Sequence, residues 1–302
     1  MDLRQLRTFC TVVETGGFRR AAKRLYLAQS AVSTQIRQLE QELGAPLFER
    51  STRGVRLTRA GAVLHRYGQT ILGLSQEARE RIGALDRQGI TEVRVGTTDI
   101  GAFYLPAILR TFRSAHPRVA VALHEDTSAV LVDRVMRGEL DLALVAASGG
   151  TEDCTFTELF ELQLLVVCSA ADPLARGSEV TVAELATQPL VVYEPGCAYR
   201  HIIETACRAN GIAPVIALES NRLGPIRDAV AAGMGGTILP EAAVRRDIEE
   251  GSLVARRLEG LDAAVSMALV SRRAPSTTPP VDALVEILTT RSALGSFPAG
   301  SG

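Results

Sequence analysis

The sequence predicts an α/β protein that begins with a small helical head. Apolar residues recur at helical spacing up to Leu43, and a stretch of about thirty residues without proline follows. Beyond it, short apolar strands alternate with amphipathic helices almost to the end of the chain. The 302 residues exceed one typical core, so two or three domains are expected.

The composition is typical of a folded cytoplasmic protein. Hydrophobic residues make up 46% of the chain and charged residues 22%, and the apolar runs are too short to cross a bilayer. The opening Met-Asp-Leu-Arg starts no apolar signal segment. Five cysteines without a CxxC pair do not predict a disulfide framework. We therefore expect a cytoplasmic protein with no membrane partner.

The net charge of −1 conceals a strong asymmetry. Residues 1–90 contain 15 Arg and Lys against 8 Asp and Glu, whereas residues 91–302 contain 18 against 26. A basic head on an acidic body favours an anionic partner for the head, nucleic acid above all. A solvated basic face has the same composition, so the charge alone leaves both interpretations open.

The head has the spacing of a helix-turn-helix. A first helix from Leu3 ends at Gly16-Gly17, a second is predicted over 18–25, and a third over 29–43 stops at Gly44. The third helix has an apolar stripe of Val32, Ile36, Leu39 and Leu43. Short polar side chains and one cation lie on its other side, where they suit base edges and phosphates: Gln29, Ser30, Ser33, Thr34 and Arg37. An ordinary polar helix surface is the alternative.

A small basic hairpin follows the third helix. Gly54 supplies a turn, Val55 and Leu57 alternate with polar residues, and four arginines occur at positions 50, 53, 56 and 59. Arg53 at the predicted tip is suited to a narrow minor groove. Helix, turn, third helix and basic hairpin in this order predict a winged helix-turn-helix domain over residues 1–58.

This head resembles the DNA-binding domain of LysR-type transcriptional regulators. The resemblance extends without a gap from Leu3 to Gly61 and is carried by LRTFCTVVETGGFRRAAKRLYLAQSAVSTQIRQLEQELGAPLFER and GVRLTRAG. It implies that Gln29, Ser30, Ser33 and Thr34 contact bases and phosphates and that Arg53 is the wing-tip residue. Position 30 is often Pro in the family, position 34 often Arg, and Arg19 replaces a usual Ser or Thr. Operator preference therefore cannot be copied from a relative.

Residues 59–88 are predicted to form a linker helix. Leu64, Tyr67, Ile71, Leu74 and Ala78 alternate at spacings of three and four, which is typical of a two-stranded coiled coil. A helix packed against its own chain is the alternative, and the resemblance implies the dimer. A homodimer or homotetramer with paired heads would bind duplex DNA at an interrupted palindrome.

Residues 89–302 are predicted to form a two-lobed α/β effector domain. Strand, helix and strand patterns run from Glu92 to Ala146 and restart at Leu162, which indicates parallel sheets with crossover helices. RGELDLAL, ADPLA and AAGMGGTILP resemble the periplasmic-binding-protein-like effector domain of the same family. The implied lobes are about 91–162 with 267–302, and 163–266.

Loops at strand ends in both lobes predict a small-molecule site between them, because helix N-termini at such ends favour anions. The candidate effector-binding residues are Thr97, Thr98, Ile100, Thr127, Ser128, Pro195, Gly196, Cys197, Tyr199 and Asn221. An organic anion is one candidate effector. Simple helix capping by Thr and Ser is the alternative, and it is compatible with a site. Cys197 is interpreted as a pocket residue rather than a redox sensor.

Other classes of protein fit less well. Gly233-Met234-Gly235-Gly236 follows a helix and precedes a strand, which is the wrong order for a dinucleotide loop. GxSxG, HExxH and P-loop motifs are absent and the four histidines are scattered, so no catalytic residue, metal or cofactor is predicted. A transport-type binding protein would share the body but not the basic head. We therefore expect an effector-controlled transcriptional regulator, with RNA polymerase as a further candidate partner.

Overall fold

The computed structural model describes residues 1–49, 55–85, 91–147, 154–259, 264–273 and 279–293. The chain divides into two compact units. The first comprises residues 1–89 with 136–139, and the second comprises residues 90–135 and 140–302.

Three helices form the head: α1 (Leu3–Thr15), α2 (Phe18–Leu25) and α3 (Gln29–Leu43). A capping box begins α1, because Asp2 accepts from the Gln5 backbone N–H at 2.7 Å while the Gln5 side chain accepts from the Asp2 N–H at 2.9 Å. Gly16 and Gly44 end α1 and α3 with left-handed φ values of 65° and 66°. The predicted bounds of α2 and α3 are confirmed.

Buried apolar side chains pack these helices together. One cluster consists of Phe9, Cys10, Ile36, Leu39 and Leu47, and a second of Val12, Ala21, Ala22 and Val32. Leu43 was expected in the stripe of α3 but is 42% exposed, at the last residue before the Gly44 cap. Thr8 on α1 donates to the Gln35 side chain at 2.6 Å and thereby helps to orient α3.

The described legs of the hairpin pair as the sequence predicts. Phe48 and Leu57 form an antiparallel bridge, and the Glu49 N–H donates to the Arg56 carbonyl at 2.9 Å. The Phe48 ring lies 5.3 Å from that of Phe9, which holds the hairpin base on the helical core. Residues 50–54, and with them Arg53, lie outside the described residues.

The linker helix α4 (Arg59–Leu85) packs one face against its own chain. A Cβ at Gly68 would lie 3.0 Å from both Cys10 Sγ and Leu6 Cδ1, so glycine at this position favours the close approach of α4 to α1. Leu64, which the sequence assigned to a dimer seam, packs on the head core instead. Apolar side chains remain exposed elsewhere on α4: Val63, Tyr67, Leu74 and Ile82.

The second unit begins with the first lobe: β1 (Thr91–Thr97), α5 (Leu105–Ala115), β2 (Val119–Glu125), α6 (Ser128–Met136) and β3 (Leu142–Ala146). β1 pairs in parallel with both β2 and β3. The helix expected from Ile100 is divided into a short 3₁₀ turn at Gly101–Phe103 and then α5. Pro106 explains the division, since proline is tolerated in the first turn of a helix but not farther inside it.

Two long antiparallel strands connect the lobes: β4 (Cys154–Ser169) and β10 (Ala264–Arg272). Residues 154–163 of β4 pair with β10, which also pairs with β3, whereas residues 164–169 pair with strands of the second lobe. The sheet is therefore mixed: the strand–helix–strand units form the expected parallel pairs, whereas β4 and β10 add antiparallel pairs that the sequence did not predict. The chain passes directly along a strand from one lobe to the next, so no crossover helix is required there.

The second lobe contains a parallel pair, β6 (Leu190–Tyr193) and β7 (Ile216–Ser220), with helices α8 (Ala198–Ala209) and α9 (Leu223–Ala231). The other elements of the second lobe are β5 (Glu179–Val180), α7 (Val182–Ala186), β8 (Thr237–Pro240), α10 (Arg245–Glu249) and β9 (Leu253–Leu258). The closing helix α11 (Pro279–Ala293) packs against β4 and against α5 of the first lobe. β8 and β9 flank the second half of β4. The glycine-rich loop before β8 thus lies between a helix and a strand, as the sequence predicts.

Candidate functional site

The first candidate surface is the N-terminal half of α3. Gln29, Ser30, Thr34 and Arg37 are exposed and Ser33 is half-buried, whereas Val32 and Ile36 on the other side are buried. α3 begins after Ala28 without a side-chain cap, so the positive end of the helix dipole is open at this surface. Polar side chains and free N–H groups together suit a polyanion. We call these five residues the α3 polar face.

Tyr26 extends this surface and was missed in the sequence. Its side chain is 95% exposed, and it has a φ of 56° in the turn directly before α3. Among the described residues it is the one non-glycine with positive φ, a conformation that is costly for a bulky side chain and is concentrated at functional positions. A tyrosine hydroxyl beside a helix N-terminus is suited to a phosphate oxygen. The available signal was a large aromatic residue in a short polar turn.

The second candidate site lies between the lobes of the second unit. In the first lobe the carboxyl ends of β1 and β2 are neighbours, with Thr97 opposite Glu125. In the second lobe the carboxyl ends of β6 and β7 are neighbours, with Tyr193 opposite Ser220. We call the place where these four strand ends meet the interlobe site.

Asp99 connects the two lobes at this site. Its Oδ2 accepts from the Tyr193 hydroxyl at 2.8 Å and from the Leu223 backbone N–H at 2.9 Å, and both donors belong to the second lobe. Its Oδ1 accepts from the neighbouring Ile100 N–H at 2.8 Å. A second connection is the ion pair between Arg222 and Glu125, which is exposed. A carboxylate of the first lobe thus caps α9 of the second.

The predicted effector-binding residues lie in different environments at the interlobe site. Thr97 and Ile100 are fully buried, and the Thr97 hydroxyl donates to the Thr98 carbonyl at 3.1 Å. Thr98 caps the 3₁₀ turn by accepting from Gly101 N–H at 3.1 Å. The others sit near helix starts: Thr127 and Ser128 at α6, Pro195, Gly196, Cys197 and Tyr199 at α8, and Asn221 before α9.

Two tyrosines of the second lobe pack together beside Asp99. The rings of Tyr193 and Tyr199 lie 5.7 Å apart, and both side chains are buried. Burial raises the pKa of both hydroxyls, and the nearby Asp99 charge raises each further. Both phenols therefore stay protonated at neutral pH; the Tyr193 hydroxyl donates to Asp99, and the Tyr199 hydroxyl is able to donate.

The arginines near the site are paired with carboxylates. Arg200 donates to Glu204 at 2.6 Å, to the Tyr193 carbonyl at 3.0 Å, and to Glu219. These contacts hold the end of β6 against the start of α8. Arg200 is thus a structural residue of the second lobe, and its guanidinium is engaged rather than open to a ligand.

Two family models match separate segments of the chain, one on each side of residues 63–86. A "Bacterial regulatory helix-turn-helix protein, lysR family" model matches residues 3–62, and a "LysR substrate binding domain" model matches residues 87–293. The chain is a LysR-type transcriptional regulator. It is a DNA-binding regulator with an effector-binding domain, and the family consists of regulators rather than enzymes.

Known proteins agree with this assignment over most of the chain. The regulator is 34% identical to the uncharacterized HTH-type transcriptional regulator YwqM of Bacillus subtilis over 84% of this chain and 87% of that protein. It is similar to a full-length OxyR variant from Pseudomonas aeruginosa, with a TM-score of 0.63, 25% identity and coverage of 99% and 96% of the two chains. A structure of full-length CbnR in complex with its target DNA has a TM-score of 0.56, 26% identity and coverage of 97% and 100%.

The described ranges contain neither a metal cluster nor a membrane-spanning helix. Among these residues, no group of three or more His, Cys, Asp or Glu side chains is arranged to hold a metal ion. No helix in the described part of the chain is long and apolar enough to span a bilayer.

We expect Cys197 to react slowly as a thiol nucleophile. Burial raises its pKa, and the backbone N–H groups of Tyr199 and Arg200 offset this only in part. The thiolate is the reactive form, so raising the pKa lowers the reactive fraction at every pH below it. At pH 7.5 iodoacetamide should modify Cys197 more slowly in the folded protein than in the denatured protein, where burial no longer raises the pKa.

Peptide mass spectrometry across a pH series measures this rate, and the same protein in denaturant provides the matched control. The rate should level off at a higher pH in the folded protein than in the denatured protein. A reactive thiolate already present at pH 7 would contradict the expectation and favour a redox role for Cys197.

Proposed function

We propose that the regulator binds a duplex DNA operator, an interrupted palindrome, as a homodimer or homotetramer. Its winged helix-turn-helix, residues 1–58, would enter the grooves, and residues 59–88 would pair with a second copy. The contacts to DNA would come from Gln29, Ser30, Ser33, Thr34, Arg37 and Arg53, with Tyr26 at a phosphate. The regulator would act in the cytoplasm, with RNA polymerase as a candidate partner at the promoter.

The observation that carries this proposal is the open start of α3. The α3 polar face is exposed, lacks a side-chain cap and stands on a tightly packed helical core. The exposed apolar side chains of α4, including Tyr67 and Leu74, support pairing with a second helix, because such a strip is stabilised by burial against a partner. Full-length CbnR, whose fold is similar to that of this chain, has been solved in complex with its target DNA, which also supports the proposal.

We further propose that a small-molecule effector binds in the domain formed by residues 89–302, at the interlobe site. An organic anion is the proposed class, since the Tyr193 hydroxyl and the Leu223 N–H of the second lobe converge there on a carboxylate of the first, and the ten residues predicted above would line or support the site. The effector would change the closure of the lobes and so control DNA binding or activation. The proposal thus assigns three domains: the winged helix-turn-helix at residues 1–58, the linker helix at 59–88 and the effector-binding domain at 89–302.

The proposal is tested by selecting duplexes from a random library with the full-length protein at moderate ionic strength. We expect enrichment of a two-fold symmetric site, bound by a dimer or tetramer. Arg53→Ala should weaken binding by about 1–3 kcal/mol if Arg53 enters a groove, or make the salt slope shallower by about one if it contacts phosphate alone. A monomeric protein with no preference over random competitor would refute the proposal.

A further inference from the structure

The two donors that hold Asp99 both belong to the second lobe, and each lies at the end of one of its strands or helices. Tyr193 is the buried last residue of β6, and the Leu223 N–H is the first helical N–H of α9. Arg222, at the start of α9, provides no side-chain cap to that helix. The second lobe therefore presents two donors that converge on one carboxylate oxygen.

A third hydroxyl beside this pair lacks a partner. Tyr199 is only 5% exposed, and its hydroxyl makes no hydrogen bond to any of the residues that the structure describes. Its ring packs on Tyr193 at 5.7 Å, and Asp99 and Cys197 are among the groups that act on it electrostatically. A buried hydroxyl without a partner is unfavourable by about 1–3 kcal/mol, so such groups usually have one. A ligand atom at the interlobe site would supply it.

Asp99 itself shows which chemistry the donors accept. It is a carboxylate held by one phenol and one helix N-terminal amide, and both of these favour an anion. The arginines nearby, Arg200 and Arg222, are engaged with Glu219 and Glu125. Binding of a carboxylate at this point therefore depends on the two tyrosines and the α9 N-terminus.

We propose that the second lobe contains a carboxylate-binding subsite formed by the Tyr193 hydroxyl, the Leu223 N–H and the Tyr199 hydroxyl. Asp99 occupies it when no effector is bound, and the carboxylate of an organic acid displaces Asp99 to enter. This inference deepens the effector proposal above and rests on it.

Displacement couples the ligand to the arrangement of the lobes. Each acid that enters removes both hydrogen bonds that Asp99 makes across the interlobe site. The Asp99 carboxylate competes with the ligand for the subsite. The apparent affinity for the ligand is therefore the intrinsic affinity multiplied by the fraction of molecules in which Asp99 has left the subsite. Removal of the Asp99 carboxylate should then strengthen the binding of a free carboxylate.

The experiment compares the full-length wild type, Asp99→Ala and the control Glu125→Gln, with acetate as the probe. Glu125→Gln removes the other ionic connection between the lobes but leaves the subsite filled. We expect acetate to bind Asp99→Ala about tenfold or more tightly than wild type, because the competing carboxylate is gone. Acetate should also raise the thermal midpoint of Asp99→Ala, whereas Glu125→Gln should behave as wild type.

Two further variants test whether the gain in acetate affinity depends on the Tyr193 hydroxyl and on the charge at position 99. Tyr193→Phe in the Asp99→Ala background should lose the gain in acetate affinity, and acetamide should not replace acetate. If Asp99→Ala does not fold, the isosteric Asp99→Asn is used, and its acetate affinity should exceed that of wild type. Equal acetate binding by all variants, or equal stabilisation by acetamide, would overturn the proposal, as would preferential binding of ethylammonium to wild type.

DNA binding is not a readout in this experiment. Failure of the acetate result would therefore remove the subsite and leave the operator proposal standing. Failure of operator selection would leave the acetate result unaffected.

Discussion

Thr34→Glu should reduce operator affinity by about thirtyfold or more. Thr34 is an exposed residue of the α3 polar face, and a carboxylate there would lie among DNA phosphates and acceptor groups on base edges. A groove contact contributes about 1–3 kcal/mol, and a two-fold symmetric protein places the substitution in two half-sites. The combined loss of about 2–6 kcal/mol corresponds to about thirtyfold at its lower limit, since 1.4 kcal/mol is a factor of ten.

Fold stability should change little, because glutamate has a higher helix propensity than threonine at an exposed helical position. Operator binding is measured by titration at fixed salt, and urea unfolding checks the fold. Thr111→Glu is the matched control: it makes the same change at an exposed position of α5, in the second unit. A similar loss of affinity in both variants would mean that net charge, rather than the α3 polar face, determines binding.

Gly235→Ala should destabilise the second unit by about 3 kcal/mol or more, from steric overlap and from backbone strain. Gly235 has a φ of 146°, and a Cβ there would lie 1.9 Å from the Pro189 carbonyl oxygen. The same carbonyl accepts from the Gly236 N–H at 3.1 Å, and Gly236 in turn accepts from Val191 N–H at 2.9 Å. These bonds join β6 to the segment before β8, so the substitution should separate the two strands.

The free energy of unfolding in urea measures the effect. Gly224→Ala is the control, because Gly224 lies in α9 without an unusual φ and no atom would lie within 4 Å of its Cβ. We expect that variant to be unchanged or stabilised by up to about 1 kcal/mol. A loss below about 1 kcal/mol for Gly235→Ala would show that the loop rearranges at little cost.

Much of the head could be read from local sequence, because its helices are delimited by local signals. The bounds of α2 and α3 follow from apolar spacing and from the glycine at position 44. The body was harder to predict. β4 was expected to begin at Leu162 but starts at Cys154, since most residues of its first half are exposed or half-buried and form no apolar run.

The candidate sites divide in the same way. The residues of the α3 polar face follow from the spacing of polar and apolar residues along one helix, so they were identifiable without tertiary information. Tyr26 was overlooked because the exposure of a turn residue depends on how the whole domain packs. Asp99 appeared in the sequence only as part of a loop that precedes a helix.

By itself, the sequence determined that a basic helical head precedes an acidic two-lobed body, and which face of α3 is free. These properties depend on residues a few positions apart. Only the tertiary structure decided that Asp99 meets Tyr193 and Leu223, which are 94 and 124 positions away along the chain. The physical reason is that a hydrogen bond between the lobes depends on how β4 and β10 position one lobe against the other. The spacing of residues within one helix or strand carries no information about that position.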